Sequence, residues 1–187
     1  MRLLHTSDWH LGRTLFQTSL LAEQGRFLDW LLATALEQQV DAVLVSGDVY
    51  DRAVPSLEAV ALLDSSLEAF SDAGVPLVIV SGNHDSAVRL GFGSGLAERA
   101  GVHLRTTVDD VARPVLLNDE HGEVAVYGLP YLLPDSVKDV LGCERSHESV
   151  LRAAVGLALA DAADRGITRT VVLAHAFVSG GDVSESE

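Results

Sequence analysis

Four short apolar runs, each followed at once by polar residues, limit what this chain of 187 residues can fold into. The runs cover residues 2–7, 41–46, 76–81 and 170–174. Compact runs rich in Val, Ile and Leu are typical of strands in a sheet that is buried on both faces. The segments between them have apolar residues at helical spacing, which predicts helices over residues 20–39, 56–73 and 147–165. Strands and helices that alternate in this way predict an α/β fold.

The middle of the chain has a different rhythm. A short helix is predicted over residues 96–100, and strands follow in closer succession over 102–104, 115–117 and 124–127. Residues 118–122 have the composition of a hairpin turn. The pattern therefore predicts a meander-like stretch between the alternating elements.

The composition argues against several classes of protein. Asp and Glu number 27 against 13 Lys and Arg, a formal net charge of −14, which by itself argues against a nucleic-acid binder. The one cysteine, Cys143, excludes an internal disulfide and a cysteine-based zinc cluster. No apolar run approaches the roughly 18 residues of a membrane helix, and the first residues turn polar too early for a signal peptide. We therefore expect a cytoplasmic protein with no membrane partner.

The side chains that follow the four runs are of the kinds that bind a metal or move a proton. They are Asp8 and His10, then Asp48, then Asn83, His84 and Asp85, and finally His175. The carboxyl ends of the strands are where α/β sheets place their sites, so these groups are expected to meet. Carboxylates, imidazoles and an amide without a thiolate suit a divalent ion such as Mn²⁺, Fe²⁺ or Zn²⁺.

Roles within this set follow from position along the chain. Asp48 lies in the segment between the others and is the natural bridge between two metal ions in a binuclear centre that cleaves phosphate esters. His84 could stabilise charge on phosphorus or protonate the leaving oxygen, and Asp85 could orient its imidazole. Each motif alone is as compatible with an ordinary turn, and only their joint order favours a metal centre. His103, His121 and His147 fall outside the set and are expected at surface or hydrogen-bonded positions.

The order of these motifs resembles the calcineurin-like metallophosphoesterase superfamily. The longer strings HTSDWHLG, GDVYDRAVP, GNHDS and LPYL are similar to its branch of bacterial SbcD nuclease subunits, counterparts of the eukaryotic double-strand-break repair nuclease. The resemblance covers essentially the whole chain. It implies a four-layer α-β-β-α sandwich around a two-manganese DNA repair nuclease.

The resemblance also implies a role for each site residue. Asp8, His10 and Asp48 would hold one Mn²⁺, and Asp48, Asn83 and His175 the other, with His84 as the catalytic histidine. The implied activities are 3′ to 5′ exonuclease on duplex DNA and endonuclease on single strands and hairpins. The implied partners are DNA, the SbcC ATPase with its coiled coils, and a second copy of the chain.

Two departures from the family pattern qualify this interpretation. The family closes with a Gly-His-x-His that supplies one further histidine to each metal, and the sequence contains no such motif. We therefore expect residues 1–187 to be the N-terminal portion of the nuclease domain, with the capping domain and the SbcC-binding helices also absent. Archaeal and eukaryotic relatives often carry a histidine where this chain has Asp51, which supports the bacterial branch.

Three further possibilities remain open from the sequence. Arg13, Arg52 and Arg89 closely follow the metal motifs and could contact DNA phosphates, although pairing with surface carboxylates is as compatible with their positions. A metallophosphatase or a small-nucleotide phosphodiesterase would share the same metal core. A chain that folds but holds metal weakly and serves as a scaffold is the third possibility.

Overall fold

The computed structural model describes residues 1–177. Its nine strands are β1 Leu3–Thr6, β2 Thr14–Leu15, β3 Thr18–Ser19, β4 Ala42–Ser46, β5 Leu77–Val80, β6 Val102–Arg105, β7 Val115–Asp119, β8 Gly122–Leu129 and β9 Thr170–Ala174. Its six α-helices are α1 Leu21–Glu37, α2 Leu57–Asp72, α3 Ala87–Leu90, α4 Ser94–Ala97, α5 Pro134–Leu141 and α6 His147–Asp164. Short 3₁₀ turns cover Glu98–Ala100 and Val108–Asp110.

The first sheet is parallel, with strand order β1-β4-β5-β6. Every residue of β4 and of β5 is buried, as their continuous apolar runs predict. Helix α2 connects these two strands and begins where the sequence indicates, because the Ser56 hydroxyl accepts a hydrogen bond from the Ala59 amide at 3.2 Å. Its end is also as predicted, with Gly74 at a φ of 68° just past the last turn.

The second sheet has strand order β7-β8-β9, with β7 antiparallel and β9 parallel to β8. The prediction that β1 and β9 are strands buried on both faces is wrong, since no residue of β1 and only Leu173 of β9 are buried. The reason is their position: β1 is the edge strand of the first sheet, and among residues 1–177 β9 has only one neighbouring strand, β8.

Three apolar clusters stack the sheets and helices into four layers. Val43, Val45 and Ile79 point from the first sheet towards α1 and α2. The alternate residues Leu44 and Val78 point the other way and meet the inner face of the second sheet. The outer face of the second sheet packs against α5 and α6 in the third cluster. The four-layer α-β-β-α sandwich expected from the resemblance is therefore the observed architecture.

Several small elements were not predicted from the sequence. The ribbon of β2 and β3 has two residues in each strand, and α3 has four, so neither is long enough to produce a periodic pattern. The helix expected over residues 96–100 is divided into α4 and the 3₁₀ turn that follows it. Among residues 1–177, no helix combines the length and apolar character needed to cross a membrane.

Candidate metal centre

The loops that follow β1 and β4 run side by side at the carboxyl end of the first sheet. The amide of Asp8 donates to the Gly47 carbonyl at 3.0 Å, and the amide of His10 donates to the Asp48 carbonyl at 2.9 Å. These bonds extend the parallel pairing of the two strands past their ends. They bring Asp8, His10 and Asp48 to one place.

Asp8, His10 and Asp48 all have left-handed backbone conformations, with φ values of 57°, 44° and 50°. Such a conformation costs a non-glycine residue on the order of 1–3 kcal/mol and persists only where the surroundings impose it. Three of these in two adjacent loops concentrate backbone strain at this point of the molecule. Strain of this kind is characteristic of functional sites.

Gln24 of helix α1 holds the strained β1 loop in place. Its side-chain amide donates to the carbonyls of Trp9 at 3.1 Å and His10 at 2.7 Å, and its Oε1 accepts from the Gly12 amide at 3.1 Å. Three backbone groups of one loop are thus satisfied by one side chain from the outer helical layer.

Asp48 lies at the centre of the cluster. Its Oδ2 is 3.7 Å from Nε2 of His10 and also 3.7 Å from Nε2 of His175. Asp8 Oδ1 lies 3.8 Å from the same nitrogen of His10. The Asp48 side chain is only 5% exposed and no Lys or Arg pairs with it among the described residues. A buried carboxylate between two imidazoles is well placed to bridge two cations.

The surroundings of His175 suit a side chain that binds a metal ion. Its Nδ1 is 2.7 Å from the Ser46 carbonyl oxygen, which can only accept, so Nδ1 carries the proton. In the neutral ring Nε2 therefore presents a lone pair, and it lies 3.0 Å from Oδ1 of Asn83. The lone pairs of His175, Asn83 and Asp48 converge, and a bound cation would satisfy all three.

The surroundings of His10 also suit a side chain that binds a metal ion. Its side chain is 14% exposed, and its Nδ1 is buried with no hydrogen-bond partner. Asp51 Oδ1 lies 3.6 Å from this nitrogen, which is too long for a hydrogen bond. A cation bound through Nε2 would keep the proton on Nδ1, where the Asp51 carboxylate attracts it.

His84 lies beside this cluster. Its backbone amide donates to Asp48 Oδ1 at 2.9 Å, and its Nδ1 donates to the Asp51 carbonyl at 2.8 Å. The rings of His84 and His10 meet edge to face with centroids 4.8 Å apart. Ligand atoms of His10, Asp48 and His84 lie within 4.8 Å of one another. This geometry is compatible with His84 as an acid or base, as the sequence predicts, and also with His84 as a ligand.

The expectation that Asp85 orients the His84 imidazole is wrong. Both oxygens of Asp85 instead accept hydrogen bonds from backbone amides, those of Val49 at 3.1 Å, Tyr50 at 2.9 Å and Gly82 at 2.8 Å. Asp85 therefore fastens the loop after β4 to the loop after β5, and the Asp51 carbonyl orients His84. Burial, with the Asp85 charge nearby, raises the pKa of the Tyr50 hydroxyl to about 12. The Tyr50 side chain beside Asp85 therefore stays neutral.

Two glycines allow the loops to approach this closely. A Cβ at Gly47 would lie 2.6 Å from Nδ1 of His175, and one at Gly82 would lie 2.7 Å from Cγ of Asp48. Both separations are far inside van der Waals contact. The motifs Gly47-Asp48 and Gly82-Asn83 thus need glycine because the ligands occupy the space of a side chain.

Two residues that support the centre, Gln24 and Asp51, were not predicted from the sequence to have a role in it. Asp51 contacts both histidines, through its carboxylate near His10 and its carbonyl on His84. Its position three residues after Asp48, in the same loop, was the one sequence feature that could have indicated this role. Gln24 lies in the helical stripe of α1, and no local pattern separates it from other polar helix residues.

The three arginines make different contacts on the loops near the centre. Arg89 donates to the Ala53 carbonyl at 3.2 Å, and Arg52, with a side chain 79% exposed, lies 3.7 Å from Asp51. Arg13 is exposed at the turn that follows His10. Together Arg52 and Arg89 place positive charge on the loop of residues 51–55, next to the candidate metal ligands.

Comparison with known proteins identifies the family of the chain. The family model described as Calcineurin-like phosphoesterase matches residues 1–183. The chain is similar to the SbcD subunit of the nuclease SbcCD from Staphylococcus saprophyticus subsp. saprophyticus, with 30% identity over 190 residues that cover 100% of the chain and 49% of the relative. The chain thus spans about half the length of this curated relative. Because the family model matches nearly the whole chain, the chain belongs to the calcineurin-like phosphoesterase family.

Proposed function

We propose that the chain is the nuclease part of an SbcD-type DNA repair protein that hydrolyses phosphodiesters with two Mn²⁺ ions. The observation that carries the proposal is the position of Asp48 Oδ2, 3.7 Å from both His10 and His175. The name of the similar protein, part of a nuclease, supports a nucleic acid as the substrate. The proposal includes 3′ to 5′ exonuclease activity on duplexes and endonuclease activity on single strands and hairpins.

Each ion has a proposed set of ligands in this chain. Asp8, His10 and Asp48 hold the first, and Asp48, Asn83 and His175 hold the second. When bound, a pair of divalent ions offsets charge on the phosphoryl oxygens and supplies an activated water for in-line attack. The Ser46 carbonyl keeps the proton of His175 on Nδ1, so its Nε2 is available as a ligand.

His84 is proposed to transfer a proton at the reacting phosphate. Its Nδ1–H is committed to the Asp51 carbonyl, which leaves Nε2 as the nitrogen that takes up or releases a proton. The ring is exposed to the substrate side while its backbone is tied to Asp48. A proton donated from Nε2 to the leaving oxygen would remove the need to expel an alkoxide.

The distribution of charge is compatible with a DNA substrate despite the net charge of −14. Arg52 and Arg89 lie next to the centre and are proposed to contact DNA phosphates, together with Arg13. Part of the acidic excess lies elsewhere: Asp64, Glu68 and Asp72 follow one another along α2, which runs from the metal edge of the sheet to the opposite edge. DNA binding by residues 1–187 alone is expected to be weak, and the proposed SbcC partner and a second copy of the chain would strengthen it.

The proposal is tested by comparing substrates with the complete gene product that contains this chain. We expect Mn²⁺-dependent release of nucleotides from a linear duplex and little hydrolysis of cyclic nucleotides. Hydrolysis of small esters with an intact duplex would instead indicate a phosphatase or small-nucleotide phosphodiesterase. A folded protein that retains no metal in elemental analysis would support the scaffold alternative.

A further inference from the structure

Three aromatic rings form a cluster beside His175. Tyr131, His147 and Phe177 make up this cluster, which we call the aromatic rim. The His147 and Phe177 ring centroids are 5.2 Å apart, and the Tyr131 centroid is 6.0 Å from His147 and 6.4 Å from Phe177. The Tyr131 ring also meets the His175 ring edge to face, at 6.1 Å.

The three rings come from three separate parts of the fold. Tyr131 follows β8, and its amide donates to the Ser81 carbonyl at 2.8 Å, which ties it to the end of β5. His147 is the first residue of α6, and Phe177 lies two residues past the proposed ligand His175. Segments that are far apart along the chain thus converge on one side of the metal centre.

The aromatic rim is accessible, and among residues 1–177 none that lines the depression beside it is acidic. Phe177 is 71% exposed, and His147 is also exposed. Buried Leu132 and Val150 lie beneath the rings and support them. The rings line a shallow depression in the surface. The nine described residues that line it include no Asp and no Glu, although the chain carries 27 acidic residues. An anionic substrate would therefore meet no repulsion from these residues.

The two sides of the metal centre differ in chemistry. Arg52 and Arg89 lie on one side, on or against the loop of residues 51–55. The aromatic rim lies on the other side, next to His175. Positive charge suits the phosphate backbone of a nucleic acid, and exposed aromatic faces suit its bases.

We propose that the aromatic rim stacks the base of the nucleotide attached to the scissile phosphodiester. The inference rests on the proposed nuclease function and adds a substrate class, a strand end whose terminal base is unpaired. A base inside a duplex is covered on both faces by its neighbours, so only a base at a strand end presents a face to Phe177, and an unpaired end does so without a partner strand in the way. Stacking on an aromatic ring is tolerant of base identity because every base has a π face, which predicts little sequence preference.

A binding experiment tests the stacking without cleavage. A single-stranded oligonucleotide with 2-aminopurine at its 3′ end is titrated with the complete gene product in EDTA. We expect the fluorescence to be quenched on binding, and Phe177→Leu, which keeps an apolar side chain without a ring face, to reduce the quenching severalfold. Trp30→Ala removes an exposed aromatic ring from α1, in the opposite outer layer, and is expected to leave the quenching unchanged.

A kinetic experiment tests the consequence for catalysis. With Mn²⁺ present, kcat/KM is compared for two oligonucleotides that differ only in whether the 3′-terminal nucleotide has a base or is abasic. We expect about a tenfold or greater preference for the base in the wild-type protein, within the range measured for one stacked base. Phe177→Leu and His147→Ala should bring this ratio towards one.

The outcomes separate the inference from the function on which it rests. Cleavage of both oligonucleotides at equal rates, or unchanged quenching in Phe177→Leu, would overturn the stacking and leave the nuclease function standing. A metal-loaded protein that neither binds nor cleaves DNA would overturn both. Equal losses on the two substrates in His147→Ala would show that the rim only supports His175 and would also overturn the inference.

Discussion

Gly82 lies so close to Asp48 that a Cβ added to it would be 2.7 Å from Cγ of Asp48, and closer still to Oδ1. The Asp48 side chain is 5% exposed and its Oδ1 accepts the His84 amide, so it has little room to move away. The loop after β5 is therefore fitted around the central carboxylate of the proposed metal centre. Any side chain at this glycine displaces the carboxylate or the loop.

Gly82→Ala is accordingly expected to impair metal binding. The forced shift of Asp48 should lower Mn²⁺ affinity by about 10- to 100-fold, the range for disturbed support of a ligand, and the crowding should cost about 1–3 kcal/mol of stability. Isothermal titration calorimetry measures the first and chemical denaturation the second. Gly156→Ala in α6, where a Cβ has open space, is the control and should be neutral or slightly stabilising. Unchanged affinity in Gly82→Ala would show that Asp48 is not a ligand.

Gln24→Ala tests whether the strained β1 loop depends on helix α1. The variant removes three hydrogen bonds to the loop without touching a proposed ligand side chain. We expect Mn²⁺ affinity at the His10 side to fall about 10- to 100-fold while the fold remains intact. Gln38→Ala, an exposed glutamine just past the same helix, is the matched control. Equal Mn²⁺ affinity in the two variants would mean that the left-handed conformations at Asp8 and His10 maintain themselves.

His84→Gln separates the two roles that the geometry allows. If His84 transfers a proton, the variant keeps its metal and loses about 10²- to 10⁴-fold in cleavage rate. Metal content by elemental analysis and nuclease rate are measured on the same preparation. Loss of metal in this variant would place His84 among the ligands and contradict the proton-transfer role.

Asp119 supplies a prediction for the pH dependence of stability. Arg169 contacts both of its oxygens, at 2.6 and 2.7 Å, and holds the pKa of this carboxyl well below its ordinary value of 3.8. A carboxyl whose pKa is depressed by folding contributes stability above the ordinary pKa and loses it as the pH falls below that value. The wild-type protein should therefore melt above Asp119→Asn at pH 7, and the difference in Tm should shrink towards pH 3.

The control for this prediction is Glu120→Gln, a neighbouring carboxyl whose side chain is 86% exposed. It should melt like the wild-type protein at both pH values. A difference between Asp119→Asn and the wild type that grows as the pH falls would contradict the assigned role of the Arg169 pair.

The parts of the fold predicted from the sequence are those with long, regular patterns. The buried strands β4 and β5 and the long helices α1, α2 and α6 follow from apolar periodicity, with bounds off by only one to a few residues. The burial of β9 was overestimated because its apolar run cannot reveal whether a strand is central or has a single neighbour. That choice depends on which strand β8 pairs with, a long-range contact.

In the candidate site, too, the positions of the residues could be predicted from local sequence patterns, and their contacts could not. Asp8, His10, Asp48, Asn83, His84 and His175 stand at strand ends, and parallel strands bring such residues to one edge of a sheet. The direction of each side chain could not be predicted, which is why Asp85 was paired with His84 rather than with the backbone of Val49, Tyr50 and Gly82. The support from Gln24 also required the packing of α1 against the loop. Residues 178–187 lie outside the described part of the chain.

The central claim is that Asp48 bridges two metal ions, and metal stoichiometry in the complete gene product tests it most directly. The wild-type protein should bind two Mn²⁺ per chain, Asp8→Ala should retain one, and Asp48→Ala should retain none at concentrations that saturate the wild type. Isothermal titration calorimetry with elemental analysis gives all three numbers. Retention of one ion at full occupancy in Asp48→Ala would contradict the bridge.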